Sequence, residues 1–169
     1  MIFHTERLLV RQFGFDDFEY FFRLNNDEEV MRYIRPVKNR EQALQFFEEN
    51  LAYYQEFPRY GRWAMLDRAS KHFIGTFMLK PSGVLPGEIE LGYALNKENW
   101  GKGYATESVF GGLDYAFDRL GLDRLIAITQ PNNMISQKVL IKSGFIQENN
   151  MEDNGRIINL FRIIKASHG

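Results

Sequence analysis

Cysteine is absent from the 169-residue sequence, which excludes disulfides and a thiol nucleophile. Histidine is scarce: His4, His72 and His168 lie far apart, without the spacing of metal ligands, so no metal is expected. No apolar run approaches the roughly 20 residues of a membrane span, and the first residues lack the basic and apolar regions of a signal peptide. A cytoplasmic location with no membrane partner is therefore the expectation. Charge of neither sign dominates: 21 basic and 22 acidic residues leave a net charge of −1. That balance gives no general attraction to nucleic acid, and no basic-aromatic repeat offers a platform for it. Repeats, low-complexity stretches and linkers are also missing, so residues 1–169 read as a single domain, long enough to bury roughly 70% of the extended chain's surface.

Against this plain background one stretch stands out, Asn99-Trp-Gly-Lys-Gly-Tyr-Ala-Thr-Glu-Ser108. It joins an alternating apolar strand to an amphipathic helix through a Gly-Lys-Gly turn. Gly101 and Gly103 leave their amides unshielded at a helix N-terminus, where the helix dipole favours an anion, and Lys102 adds a mobile positive charge. Two common phosphate motifs fail here. A P-loop would need glycine at Asn96 and Ser or Thr at Gly103, and a dinucleotide fingerprint would need Gly or Ala at Thr106. What remains is either a distinct phosphate turn or an ordinary strand-to-helix turn. Lys97, Lys102, Lys138 and Lys142 cluster in sequence around this stretch and a later helix, as an anion site or as solvated helix lysines.

The strand Glu88 to Leu95 places Ile89, Leu91, Tyr93 and Leu95 on one face and Glu88, Glu90, Gly92 and Ala94 on the other. The second face carries two carboxylates and then two small residues. It reads as a solvent face or as a cleft wall along which a ligand can lie. Elsewhere the pattern gives a strand near 7–12, a helix at 16–25, a short helix at 28–33, and a helix from a capped start at Asn39 and Gln42 toward Gln55. Strands follow at 62–67 and 73–80. After Tyr104 a stripe through Val109, Leu113, Phe117 and Leu120 predicts one helix, followed by a strand at 124–129, a helix from Asn133, and strands at 145–149 and 157–164 with Asp153-Asn-Gly155 in the last hairpin.

The helix Asn133-Met-Ile-Ser-Gln-Lys-Val-Leu-Ile-Lys-Ser-Gly-Phe145 forms a pair with the glycine turn. Together the two segments resemble the GNAT family of acetyl-CoA-dependent N-acetyltransferases. The Trp-Gly-Lys-Gly-Tyr-Ala-Thr-Glu form and the opening Thr5-Glu-Arg-Leu-Leu-Val-Arg11 look like its ribosomal-protein (RimJ/RimL-like) branch. The resemblance implies an α/β (α+β) fold with a central mixed, largely antiparallel sheet flanked by helices. It also implies acetyl-CoA as cosubstrate and an amine as acceptor, either a peptide N-terminus or a small molecule such as a polyamine or aminoglycoside. A homodimer is a branch-level expectation. A non-catalytic CoA-binding module remains a second reading.

By the same resemblance the backbone of Tyr93, Ala94 and Leu95 binds the pantetheine amides. Trp100, Gly101, Lys102, Gly103, Tyr104, Ala105 and Thr106 hold the pyrophosphate, Asn133 orients the arm, and Lys138 reaches the 3′-phosphate. Glu90 is the first candidate to accept the amine's proton and Glu88 the alternative, either of which can instead anchor a cationic acceptor. Tyr33 and Arg35, with 154–156, line the acceptor site. Many family members place a tyrosine seven residues after the asparagine as proton donor to the thiolate, but this chain has Leu140 there. Ser136 is the substitute candidate. With no cysteine, a cysteine-borne acetyl-enzyme is ruled out and direct attack is expected.

Overall fold

A computed structural model describes residues 1–167; His168 lies outside them. Two short strands, β1 (Phe3–His4) and β2 (Leu8–Arg11), lead into helices α1 (Phe18–Asn26), α2 (Glu28–Met31) and α3 (Arg40–Glu56). The capped start at Asn39 is present. Asn39 Oδ1 accepts from the Gln42 amide at 2.9 Å and Gln42 Oε1 accepts from the Asn39 amide at 3.0 Å, so each side chain satisfies an end donor of the helix. Three strands follow, β3 (Gly61–Asp67), β4 (Phe73–Pro81) and β5 (Ile89–Leu95). Then come α4 (Tyr104–Asp114), β6 (Arg124–Thr129), α5 (Met134–Lys142), β7 (Ile146–Gln147), β8 (Met151–Asp153) and β9 (Arg156–Ile164). No described helix is long and apolar enough to cross a membrane.

The strands run β1-β2-β3-β4-β5-β6-β9-β7, with β8 added to β9. All pairs are antiparallel except β5 with β6, so the sheet is mixed and largely antiparallel, as expected. Strand pairing sorts side chains by face. Arg62, Met78 and Gly92 lie side by side across β3, β4 and β5, and Lys80 is beside Glu90. One residue along, Trp63, Phe77 and Tyr93 form the row on the opposite face.

Trp63 and Phe77 are fully buried, as are Val109 and Leu113 of α4. A Cβ added at Gly112 would sit 2.1 Å from Phe77 Cζ, so glycine is what allows α4 to lie this close to the sheet.

Some features were not legible in the sequence. β1 is two residues long, too short to show alternation. The helix after Tyr104 widens into π-type turns over Tyr115–Arg119, a change that a 3.6-residue stripe does not signal. The expected strand at 145–149 shrinks to Ile146–Gln147, and Met151–Asp153 forms a separate hairpin strand with β9. Asn154 and Gly155 turn that hairpin with φ of 50° and 78°, the doubly left-handed backbone that an Asn-Gly turn favours.

The feature that creates a site is the junction of β5 and β6. β5 pairs with β4 from Ile89 to Leu95, and β6 pairs with β9 from Arg124 to Thr129. Each strand is thus held along its outer edge. Their inner edges share one register pair, Glu90 with Ile126. Beyond that pair the strands part.

Candidate active site

A cavity of about 510 Å³ opens where β5 and β6 separate, walled by Gly92, Tyr93 and Ala94 on one side and Ala127, Ile128 and Thr129 on the other. Main-chain groups on these facing edges lack a strand partner and can take an extended, amide-bearing ligand. Thr129 is buried, and its hydroxyl has no hydrogen-bond partner among the described residues. Leaving such a group unsatisfied costs about 1–3 kcal/mol, which a polar ligand in the cleft removes.

Near the far end of β5 the chain turns through Trp100–Gly103 into α4. Gly101 and Gly103 have φ of 71° and 82°, conformations that a side chain disfavours. The turn thereby presents exposed amides at the start of an 11-residue helix. Ala105 and Thr106 occupy its first turn, and Lys102 and Lys138 are exposed. Lys97 does not join them: its ammonium pairs with Glu29 at 2.6 Å. Trp100 is structural as well, its indole N–H donating to the Leu95 carbonyl at 3.0 Å. That bond engages a carbonyl assigned from sequence to the ligand, and Leu95 is absent from the cavity wall.

The opening motif explains how the turn is held. Glu107 of α4 accepts from the Thr5 hydroxyl (2.5 Å), the Arg7 amide (2.8 Å) and Arg7 Nε (2.7 Å). The Arg7 guanidinium also donates to the Lys102 carbonyl at 2.9 Å and lies 4.4 Å from the Tyr104 ring centroid. Burial alone would raise the Glu107 carboxyl, but the Thr5 and Arg7 bonds hold its pKa below the ordinary value. Glu107 is thus committed to bracing and cannot serve a cationic acceptor. Arg7→Ala is expected to weaken CoA binding about 5–10-fold through lost charge-assisted bonds to the turn. Isothermal titration with CoA checks this.

Asn133 caps α5: its Oδ1 accepts from the Ser136 amide at 3.2 Å, and its Nδ2 donates to no acceptor among the described residues. Asn133 and Ser136 both line the cavity. Leu140 is buried and has no proton to give. The Tyr93 hydroxyl instead donates to Ser136 Oγ at 3.2 Å, leaving the serine proton available to the cleft. Burial raises the Tyr93 phenol, against the hydrogen bond to Ser136, so it stays protonated at neutral pH. Sequence reasoning used only the backbone of Tyr93. Its parity put the side chain with Leu91, toward the core, and the one available signal was a phenol among aliphatic neighbours.

On the other face, Glu90 lines the cavity. Burial is the largest influence on its carboxyl and raises its pKa; the Ser82 hydrogen bond and the Arg62 charge oppose this, and the Asp153 charge adds to it. Glu88 is not beside it in function. It is absent from the cavity wall and pairs with Arg124 and Arg162, each at 3.0 Å. The alternation that placed both acids on one face could not reveal those two arginines from later strands.

Tyr33 and Arg35 reach the cavity, as does Arg156, whereas Asn154 and Gly155 only form the hairpin turn. Arg62 and Lys80 also line it and were missed, because their approach to Glu90 depends on strand register. Burial and the Arg35 charge lower the Arg62 pKa to about 9, with Tyr54 and Glu90 opposing. An arginine remains cationic at neutral pH even so. Two hydroxyls from one face and a carboxylate from the other therefore meet at one cleft, with cations grouped on the carboxylate side.

Residues 7–146 match the family described as acetyltransferase (GNAT) domain. The chain is 34% identical over 149 residues to the uncharacterized N-acetyltransferase YoaA of Bacillus subtilis, covering 87% of this chain and 84% of that one. Among solved structures, spermidine N-acetyltransferase from Vibrio cholerae, in complex with CoA and spermine, superposes with a TM-score of 0.79 at 20% identity, covering 97% of this chain and 99% of that one. Ribosomal-protein-S5-alanine acetyltransferase from Vibrio fischeri gives 0.77 at 21% identity, with 99% and 98% covered. At such identities the two structures establish the shared fold.

Proposed function

The chain belongs to the GNAT family of acetyltransferases, and on that premise we propose that it moves the acetyl group of acetyl-CoA directly to a primary amine in a ternary complex. The carrying observation is that Glu90 and the Tyr93–Ser136 pair line one cavity, which opens beyond the single β5–β6 register pair. The amides of 101–104 hold the pyrophosphate, the parted strand edges and Asn133 hold the pantetheine arm, and the amine enters from the Glu90 face.

Glu90 accepts a proton from the incoming ammonium, directly or through water. Its raised pKa suits that task. A lysine-like amine near 10.4 costs about 4–5 kcal/mol to deprotonate at neutral pH, an α-amine near 8 only about 1–1.5. The N–C bond forms as the C–S bond breaks, and Ser136 donates its proton to the departing sulfur while taking one from Tyr93. The phenol thereby does from β5 what Leu140 cannot do from α5.

The acceptor reading is a peptide or protein N-terminal α-amine, as in the RimJ/RimL-like branch, with a small amine second. The spermidine and S5-alanine enzymes of like fold mark these two classes. The test is thiol release from acetyl-CoA against N-terminal peptides, small amines and polyamines, with product mass recorded. Acceptor-dependent acetylation supports the reading; saturable CoA binding with no turnover across the panel leaves a binding module.

Within this mechanism Tyr93→Phe is expected to lower kcat about 10-fold with little change in the KM for acetyl-CoA, and Ser136→Ala to add little on top. Steady-state kinetics of the two single variants and the double variant measure that coupling.

A further inference from the structure

Resting on the acetyl-transfer reading, we propose that the acceptor carries an anionic group, a carboxylate or a phosphate, beside its primary amine, and that Arg62, flanked by Arg35 and Lys80, holds it. Arg62 lies beside Met78 in the sheet, two strands from Gly92, on the same face as Glu90. Its guanidinium donates to Met78 Sδ at 3.2 Å, and its guanidinium carbon lies 4.9 Å from the Phe46 ring centroid. It forms no ion pair among the described residues. Other partly buried arginines of this chain do: Arg11 meets Asp17 at 2.7 Å, and Arg162 meets Glu148 at 2.5 Å and Glu88 at 3.0 Å.

Neither flanking cation forms an ion pair among the described residues, although Glu90 stands beside Lys80 across β4 and β5 and its charge acts on Arg62. Arg35 donates to Asn25 Oδ1 at 2.7 Å and packs on the same Phe46 ring at 5.1 Å. Lys80 stands 4.3 Å from the Tyr53 ring centroid, without an ion pair. Three cations thus share one wall where like charges oppose one another, and burial lowers the pKa of each. An isolated buried charge is costly unless something pairs with it.

Two acids that could balance the group are engaged elsewhere, and Glu90 is needed for chemistry. Glu88 and Glu107 are consumed by arginines, leaving Glu90 and Asp153 in the cavity. A polyamine would bring further positive charge to this wall. A carboxylate or phosphate would complete it, and a guanidinium fork fits both geometrically. The phosphates of CoA are served by the glycine turn beyond the other end of the cleft, not by this face.

The experiment follows acetyl-CoA thiol release with matched acceptors. Glycyl-glutamyl amide and glycyl-glutaminyl amide share one amine and differ by one charge. Glutamate, phosphoethanolamine and spermidine add an α-carboxylate, a phosphate and a polycation. The wild type is expected to prefer the best anionic amine over neutral and cationic ones by about 10–100-fold in kcat/KM, chiefly through KM. The best anionic probe identifies the source of the charge. Arg62→Met should abolish that preference while leaving the KM for acetyl-CoA and the Tm undiminished, and Arg62→Lys should restore part of it. Equal use of the matched dipeptides, a preference for spermidine, or an equal loss for all acceptors in Arg62→Met overturns the inference while acetyl transfer stands. Absence of turnover with every amine, charged or neutral, overturns acetyl transfer and this inference with it.

Discussion

Glu90→Gln is expected to lower kcat about 100-fold or more at neutral pH, with the deficit shrinking as the pH approaches the acceptor amine's own pKa. Near neutrality most of the amine is protonated and the carboxylate must take that proton; in alkali the free amine is already abundant. The wild-type acidic limb, which reports ionisation of Glu90, should give way in the variant to a rise that follows the acceptor amine's own pKa. The Glu90 pKa is raised by burial, so its protonated form is favoured by folding. For an acid shifted upward, the stabilising contribution is present below the unfolded pKa and lost as pH rises through the folded one. Glutamine mimics the neutral form, so the variant should be no less stable than wild type at pH 7. A pH–rate profile together with thermal melts reads both effects, and an unchanged profile removes Glu90 from the base role.

Gly112→Ala should carry a large stability cost. The new methyl would fall 2.1 Å from Phe77 Cζ and 2.9–3.0 Å from two further ring carbons, in a region where Phe77 and Leu113 are already fully buried. Overpacking costs about 1–3 kcal/mol, and here α4 itself must shift. For a chain of this size, about 3 kcal/mol corresponds to a drop of roughly 6–12 °C in Tm. Because α4 starts at the glycine turn, CoA binding should weaken in parallel. An unchanged melting temperature would mean that the helix does not lie this close to the sheet.

These two residues differ in how far sequence could expose them. Glu90 was visible because a carboxylate alternates with small residues beside a phosphate-type turn. Gly112 carries no such signal, since nothing local says that Phe77, thirty-five residues earlier, will stand against it. The same division runs through the site. Asn133 and the glycine turn are local signatures of helix starts, and the structure has α5 and α4 begin there; Asn133 and Ser136 line the cavity, whereas the turn lies outside its wall. Glu88 turned out to be neutralised because Arg124 and Arg162 come from strands paired only in three dimensions. Arg62 was invisible for the corresponding reason: which residue of β3 faces Glu90 is a matter of register, not of pattern.

The one-pair junction at Glu90 and Ile126 also bears on how the molecule coheres. A continuous ladder would bind the first and second halves of the sheet into one cooperative unit. Here the two halves share one register pair, so β6 and β9 with α5 are expected to loosen as a subunit of lower local stability. In the proposed complex the pantetheine arm lies across that seam and bonds to both halves. The cosubstrate then works as an interstrand splint: the Tyr93 amide hydrogen, on the edge of β5 away from β4, exchanges readily in the free protein and slowly in the loaded one, and the two halves unfold together only when the splint is in place.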